Sequence, residues 1–377
     1  MTEFSGYCDE RFSALRDAFA DNFKGRNEVG ASVAVSLEGE MVVDLWGGYR
    51  DEAKSLPWEE DTIVNVYSTT KTMAAITALL LADRGELDFY EPVKTYWPEF
   101  AQNGKDEIEV RHFMSHTAGL SGMDEPFRGA DLYDWDEVVT ALARQKPWWK
   151  PGTQSGYHAL TQGFLIGEVV RRITGETLGT VFRKEFAEPL DADFYIGTPE
   201  EVFPRIGELI APESNLAQQV DETDAIATRT FLNPAADARE SRTPGWREAE
   251  IPAANGHGNA RSVVRVQSIV ANGGKAFGKT LMSENGCKAI FDEQSNGKDL
   301  VLGVPVRFGM GYGLTSDALP MGPNPNTCYW GGWGGSSIVV DQDARMCVSY
   351  VMNRMEQSLM GDLRGFSLLQ AAYQSIA

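Results

Sequence analysis

The chain has 377 residues, 42% of them apolar, and carries 34 basic against 54 acidic residues, for a formal net charge of −20. That length and apolar content allow a large buried core, as one big domain or two interleaved ones. The acidic balance counts against nucleic acid or an anionic membrane as partner, and no apolar run is long enough to span a bilayer.

The N-terminus, Met1-Thr2-Glu3-Phe4-Ser5, shows no basic stretch ahead of an apolar core, so no secretory signal peptide is expected. Cys8, Cys287, Cys328 and Cys347 are scattered without metal-type spacing, which suits reduced thiols in a cytoplasm. Residues 9–24 put Phe12, Leu15, Phe19 and Phe23 in helical period and predict an amphipathic helix. Residues 31–37 then alternate, Glu38-Gly39-Glu40 turns, and residues 41–46 run back, which reads as a β-hairpin with a three-residue loop.

In residues 67–85 the apolar side chains Met73, Ile76, Leu79 and Leu80 recur at helical spacing, and Arg84-Gly85 supplies an ending. This predicts a buried helix of about four turns. Ser68 and Lys71, three apart at its start, share one face and can meet. A serine hydroxyl needs a proton acceptor before it attacks a carbonyl, and lysine can accept only if burial or a nearby positive charge lowers its pKa. The helix N-terminus favours the neutral amine and offers free N–H groups to an oxyanion. The plainer alternative is a capping serine with a solvated lysine. The same Ser-x-x-Lys pattern recurs at Ser295-Asn296-Gly297-Lys298, inside a turn cluster without apolar period, where nothing aligns the two side chains.

Residues 107–114 lead into Ser115-His116-Thr117-Ala118-Gly119-Leu120. His112 and His116 have a spacing that could suit a metal, but no cysteine lies near and the glutamate of a His-Glu-x-x-His site is missing, so neither metal nor cofactor is expected. The turn-rich residues 151–159 place Tyr157 on a loop before a helix over 163–174. A tyrosine there either packs or, close to Lys71, serves as general base with its phenol acidified by the ammonium. Residues 198–256 are rich in Pro, Asp, Glu and Asn with little period, which predicts long loops over the site entrance.

Strand signals return in residues 308–314, 336–341 and 346–352, and residues 357–376 close as a helix. Just before the second of these strands stands Trp330-Gly331-Gly332-Trp333-Gly334-Gly335-Ser336. Its glycines either let backbone approach a ligand, as an oxyanion donor must, or form a bulge. The economical fold is α+β: an antiparallel sheet domain from residues 1–70 plus 255–377, flanked by helices, with a helical domain and its long loops inserted at 71–254.

Taken in order, Ser68-Thr69-Thr70-Lys71, Tyr157-His158-Ala159 and Trp330-Gly331-Gly332 resemble the three motifs of the serine β-lactamase and penicillin-binding-protein superfamily. They look most like its class C-like esterases, the family VIII carboxylesterases. Leu81-Ala82-Asp83-Arg84-Gly85, Pro151-Gly152-Thr153 and Tyr350-Val351-Met352-Asn353-Arg354 fit the same pattern, and the likeness runs over residues 28–375. It implies a β-lactamase/transpeptidase-like fold with Ser68 as acylated nucleophile. Lys71 and Tyr157 would share its proton and then activate the deacylating water. The backbone N–H groups of Ser68 and Trp333 would form the oxyanion hole, with Trp330, Gly331, Gly332 and His158 at the substrate. The third motif is placed at Trp330 by its distance from Asp341, and Trp333-Gly334-Gly335 offers a second register.

Two departures bear on the substrate. Class C β-lactamases have Tyr-x-Asn where this chain has Tyr157-His158-Ala159, and Lys-Thr-Gly where it has Trp330-Gly331-Gly332. Losing the amide and the cation disfavours a β-lactam carboxylate, and Trp330 and Trp333 offer apolar walls instead. The resemblance therefore implies a serine carboxylesterase for small short-chain or aromatic esters. The alternatives are a β-lactamase, a D-amino-acid amidase or peptidase, an acyltransferase, or a non-catalytic binding protein of the same fold. No Gly-x-Ser-x-Gly elbow of another esterase fold is present.

Overall fold

In the computed structural model, which describes residues 4–213 and 225–377, both parts of the chain expected to carry strands build one sheet. The N-terminal part supplies β1 (Phe4–Cys8), β2 (Gly30–Leu37) and β3 (Glu40–Gly48). Two short ribbons pair β4 (Val64–Asn65) with β5 (His257–Gly258) and β6 (Lys275–Ala276) with β7 (Lys279–Thr280). The C-terminal part adds β8 (Ser295–Lys298), β9 (Pro305–Phe308), β10 (Gly313–Leu314), β11 (Thr327–Gly331), β12 (Ser337–Asp341) and β13 (Met346–Met352). The nine-stranded sheet runs β1-β3-β2-β13-β12-β11-β10-β9-β8 and is antiparallel throughout.

Helices flank and interrupt this sheet. α1 (Ser13–Gly25) follows a 3-10 turn. Between the two groups of strands lie α2 (Thr70–Asp83), α3 (Val110–Met114), α4 (Trp135–Arg144), α5 (Thr161–Thr174), α6 (Leu178–Phe182), α7 (Ala225–Leu232), α8 (Pro244–Glu248), α9 (Ala260–Ala271) and α10 (Glu284–Lys288). α11 (Leu363–Gln374) is the last. β13 is buried along its length and β2 along all but Leu37, which requires cover on both faces. α9 packs on β2, β12 and β13, while α11 packs on β13 and on α1. The α+β architecture with an antiparallel sheet is the one expected.

Several elements differ from expectation for local reasons. The β2–β3 turn has two residues, not three: Leu37 pairs with Glu40, and Glu38 and Gly39 both take positive φ, 53° and 83°, as a type I′ turn needs. β1 is too short and exposed to show a period, and pairing with β3 alone makes it a strand. Residues 308–314 are not one strand, because Gly311 at φ 86° turns the chain from β9 into β10. The helix expected from 357 starts at Leu363, where Asp362 caps it by accepting from the Arg364 N–H. The supposed turn cluster at 295–298 is edge strand β8, and β11 places Trp330 and Gly331 inside a strand rather than before one.

The loops expected over 198–256 include α7 and α8. Residues 214–224 of that stretch, like Met1-Thr2-Glu3 of the N-terminus, lie outside the described residues. Among the described residues no helix is long and apolar enough to cross a membrane. The four cysteines are unpaired.

Candidate active site

A 3-10 turn over Tyr67–Thr69 feeds straight into α2, whose residues 70–81 are all buried. A helix apolar around its whole circumference belongs inside a protein, so anything at its start is held rigidly in the interior. Tyr67 enters the turn at φ 43°, and Thr70 Oγ1 donates to Tyr67 O at 2.5 Å while accepting the Gly256 N–H at 2.9 Å. Ser68 Oγ lies 3.3 Å from Lys71 Nζ and 2.6 Å from the Tyr157 hydroxyl. It thus faces two proton-transfer groups, and the cap position of α2 is held by Thr69, so the capping alternative for Ser68 is set aside.

Lys71 is 2% exposed, and its Nζ also donates to Ala159 O at 2.7 Å and Ala253 O at 2.9 Å. Burial holds this amine well below the ordinary lysine range. Burial pushes the Tyr157 phenol the other way, upward, so neither group gains by ionising. Sequence spacing could not show either carbonyl, since Ala159 and Ala253 lie far from Lys71 along the chain.

His158, expected at the substrate, is fully buried with its ring turned to the backbone. Its Nδ1 lies 2.6 Å from Gly156 O and its Nε2 accepts the Leu120 N–H at 3.1 Å, so both ring nitrogens serve the backbone. Burial lowers its pKa to about 3, which keeps the ring neutral with the proton on Nδ1. His116 Nδ1 accepts the His158 N–H at 3.0 Å, and its ring centroid lies 5.0 Å from that of Tyr157. α3 ends at Met114 and His116 takes φ 61°, so His112 and His116 do not share a helix face. The two histidines beside Tyr157 are scaffolding for its loop.

The glycine-rich third motif braces the turn that carries Ser68. Gly332 donates its N–H to Ser336 O at 2.8 Å, and a Cβ on Gly332 would stand 2.1 Å from Val66 O, so only glycine fits against the approach to Ser68. Ser336 Oγ donates to Val66 O at 2.8 Å and lies 2.9 Å from Thr69 Oγ1, a contact the sequence pattern did not suggest. Trp330 is packed behind Tyr157 and Phe308, each at 5.4 Å between centroids, outside the cleft wall. Gly331 and Gly332, expected with Trp330 at the substrate, pack against protein backbone, and none of the three is among the described residues that line the cleft. Trp333 does line the cleft, its ring 5.1 Å from Tyr67. Among the described residues no acceptor takes the backbone N–H of Ser68 or of Trp333.

The cleft above Ser68 is walled by Leu160, Phe231, Trp246, Trp333 and Leu359, with no charged side chain among the described residues that line it. Phe231 and Trp246 come from the period-poor 198–256 region. Only their apolar character in a polar stretch hinted at a role.

The model of one protein family, described as Beta-lactamase, matches residues 15–372. The chain belongs to the Beta-lactamase family. Esterase/beta-lactamase LipL of Mycobacterium tuberculosis is 37% identical over 96% of this chain and 86% of its own length. The crystal structure of a family VIII carboxylesterase superposes with a TM-score of 0.93 at 41% identity, covering 99% of this chain and 100% of that one. EstA from Arthrobacter nitroguajacolicus Rue61a gives 0.88 at 27% identity, over 100% and 98%. The resemblance drawn from the three motifs is borne out, and this member of the Beta-lactamase family is a serine hydrolase.

Proposed function

We propose that this member of the Beta-lactamase family is a carboxylesterase that cleaves small short-chain or aromatic esters through an acyl-enzyme on Ser68. The observation that carries the reading is Ser68 Oγ held between Lys71 Nζ and the Tyr157 hydroxyl beneath a cleft with no charged side chain among the described residues that line it. Relatives and structural neighbours described as esterases support the same class of reaction.

The order of proton transfer follows from the two pKa directions. With Lys71 a neutral amine, two N–H bonds go to Ala159 O and Ala253 O, and the lone pair is left for the Ser68 hydroxyl. Tyr157, kept a phenol by burial, donates to Ser68 Oγ. This pairing makes Lys71 the base for attack and Tyr157 the acid that protonates the departing alkoxide, in place of a phenolate base. The free N–H groups of Ser68 and Trp333 are the donors proposed for the oxyanion. Water then enters as the second nucleophile, and the same pair of groups runs in reverse. The mechanism calls on no metal or cofactor.

Without a charged side chain on the described cleft wall, neither a substrate carboxylate nor an ammonium finds a counter-charge, which favours a neutral ester over a β-lactam or a free peptide. The test is p-nitrophenol release from p-nitrophenyl butyrate by wild type and Ser68→Ala side by side. Release that vanishes in the variant is expected; release that survives sinks the proposal.

A further inference from the structure

Tyr157 sits on a loop without regular structure, yet its hydroxyl has to stay on Ser68 Oγ, so the loop needs an outside brace. Residues 298–302, which lead out of β8, run beside it. Gln154 Nε2 donates to Lys298 O at 3.0 Å, the Leu300 N–H donates to Ser155 O at 2.9 Å, and the Tyr157 N–H donates to Asp299 Oδ1 at 3.0 Å. The same Oδ1 takes the N–H groups of Val301 at 2.9 Å and Leu302 at 2.8 Å. Asp299 is fully buried, and its Oδ2 has no hydrogen-bond partner among the described residues. Burying a carboxylate with one bare oxygen is costly, and each such group in a native fold asks for a reason.

We infer that Asp299 is a positioning residue for Tyr157: its carboxylate ties the backbone of the tyrosine to the 298–302 segment and so holds the phenol on Ser68. The inference rests on the proposed function, because it takes Tyr157 as the acid. Packing agrees with it. A Cβ on Gly156 would stand 2.5 Å from the Trp149 ring and 3.3 Å from Leu300, so loop and segment meet with no room between them. The negative charge of Asp299 also opposes a phenolate at Tyr157. Asp299 reaches the reaction only through the tyrosine's backbone, which is why no motif around Tyr157 points to it.

The test is a double-mutant cycle read as kcat and KM on p-nitrophenyl butyrate, with Asp299→Ala, Tyr157→Phe, both together, and Asp299→Asn as the conservative variant. Asparagine keeps a side-chain carbonyl for the three N–H groups, so Asp299→Asn is expected to keep kcat within about threefold. Asp299→Ala is expected to lower kcat about 30- to 100-fold with KM within about twofold, the size of effect a displaced catalytic group produces. In the Tyr157→Phe background the same alanine substitution is expected to change kcat by less than about threefold, because nothing is left to position. Unaltered kcat in Asp299→Ala, a loss that multiplies undiminished onto Tyr157→Phe, or equal losses in the Asn and Ala variants would each overturn the inference. If Asp299→Ala does not fold, Asp299→Ser takes its place in the cycle under the same criteria. Wild-type turnover by Tyr157→Phe would overturn the proposed function as well, a result distinct from unaltered kcat in Asp299→Ala alone.

Discussion

Ser68 and Ser295 each stand three residues before a lysine, Lys71 and Lys298, and the fold treats the two pairs in opposite ways. The first pair enters a helix, where that spacing stacks two side chains on one face; the second spans edge strand β8, where an odd separation sends them to opposite faces. Lys71 is buried among backbone carbonyls, and Lys298 is exposed. Ser68 Oγ touches two groups that can move a proton, whereas Ser295 Oγ has no hydrogen-bond partner among the described residues. Spacing becomes chemistry only when backbone conformation brings the side chains together and desolvation changes what the lysine can do.

The comparison breaks most decisively at the serines. Ser68→Ala is expected to lower kcat on p-nitrophenyl butyrate by about 10⁴-fold or more with the circular-dichroism spectrum unchanged, while Ser295→Ala stays within about twofold. Comparable losses in both would erase the distinction. Next come the lysines: Lys71→Ala removes the proposed base and is expected to cost about 10²- to 10⁴-fold in kcat, against no measurable change for Lys298→Ala.

The brace around the first pair gives a third test. Gly332→Ala must displace Val66 O, and a lower melting temperature equivalent to about 1–3 kcal/mol is expected together with reduced kcat. A Gly332→Ala enzyme of wild-type stability would show that the third motif does not press on the approach to Ser68.

The pH profile sharpens the contrast further. Lys71 is held below its ordinary value of 10.5, so the unprotonated, accepting form persists to lower pH than a solvated lysine allows. On the acid side kcat/KM should fall about tenfold per pH unit as Lys71 takes a proton, and the alkaline side should stay flat up to about pH 10, because the Tyr157 phenol is pushed upward. An acid limb unmoved by Lys71→Arg would assign it to another group. The smallest effects belong to the cleft wall, where Phe231→Ala or Leu359→Ala is expected to raise KM up to about tenfold with kcat nearly unchanged, as loss of apolar contact to substrate requires.

What could be read along the chain was what short-range rules govern. The period of Met73, Ile76, Leu79 and Leu80 foretold α2, and the three-residue step put Ser68 beside Lys71. The alternation of residues 31–46 foretold the hairpin, missing only that Glu38 and Gly39 alone make the turn. β8 and β11 escaped notice because Ser295-Asn296-Gly297-Lys298 and the glycines after Trp330 look like turns until a neighbouring strand supplies their hydrogen bonds. Trp330 looked like a substrate wall, and the fold used it to support Tyr157 from behind.

By itself, then, the sequence determined the helix that follows Ser68, the lysine one turn along it, and the family to which the three motifs belong. Tertiary structure alone decided that burial pushes the Lys71 amine well below its ordinary range, that Tyr157 reaches Ser68 across 89 residues of chain, and that no charged side chain lines the cleft among the described residues. The division has one physical cause. Periodicity and spacing act within a turn or a strand, whereas desolvation and hydrogen-bond geometry depend on neighbours brought in from anywhere along the chain, such as Ala253 against Lys71 and Asp299 against Tyr157.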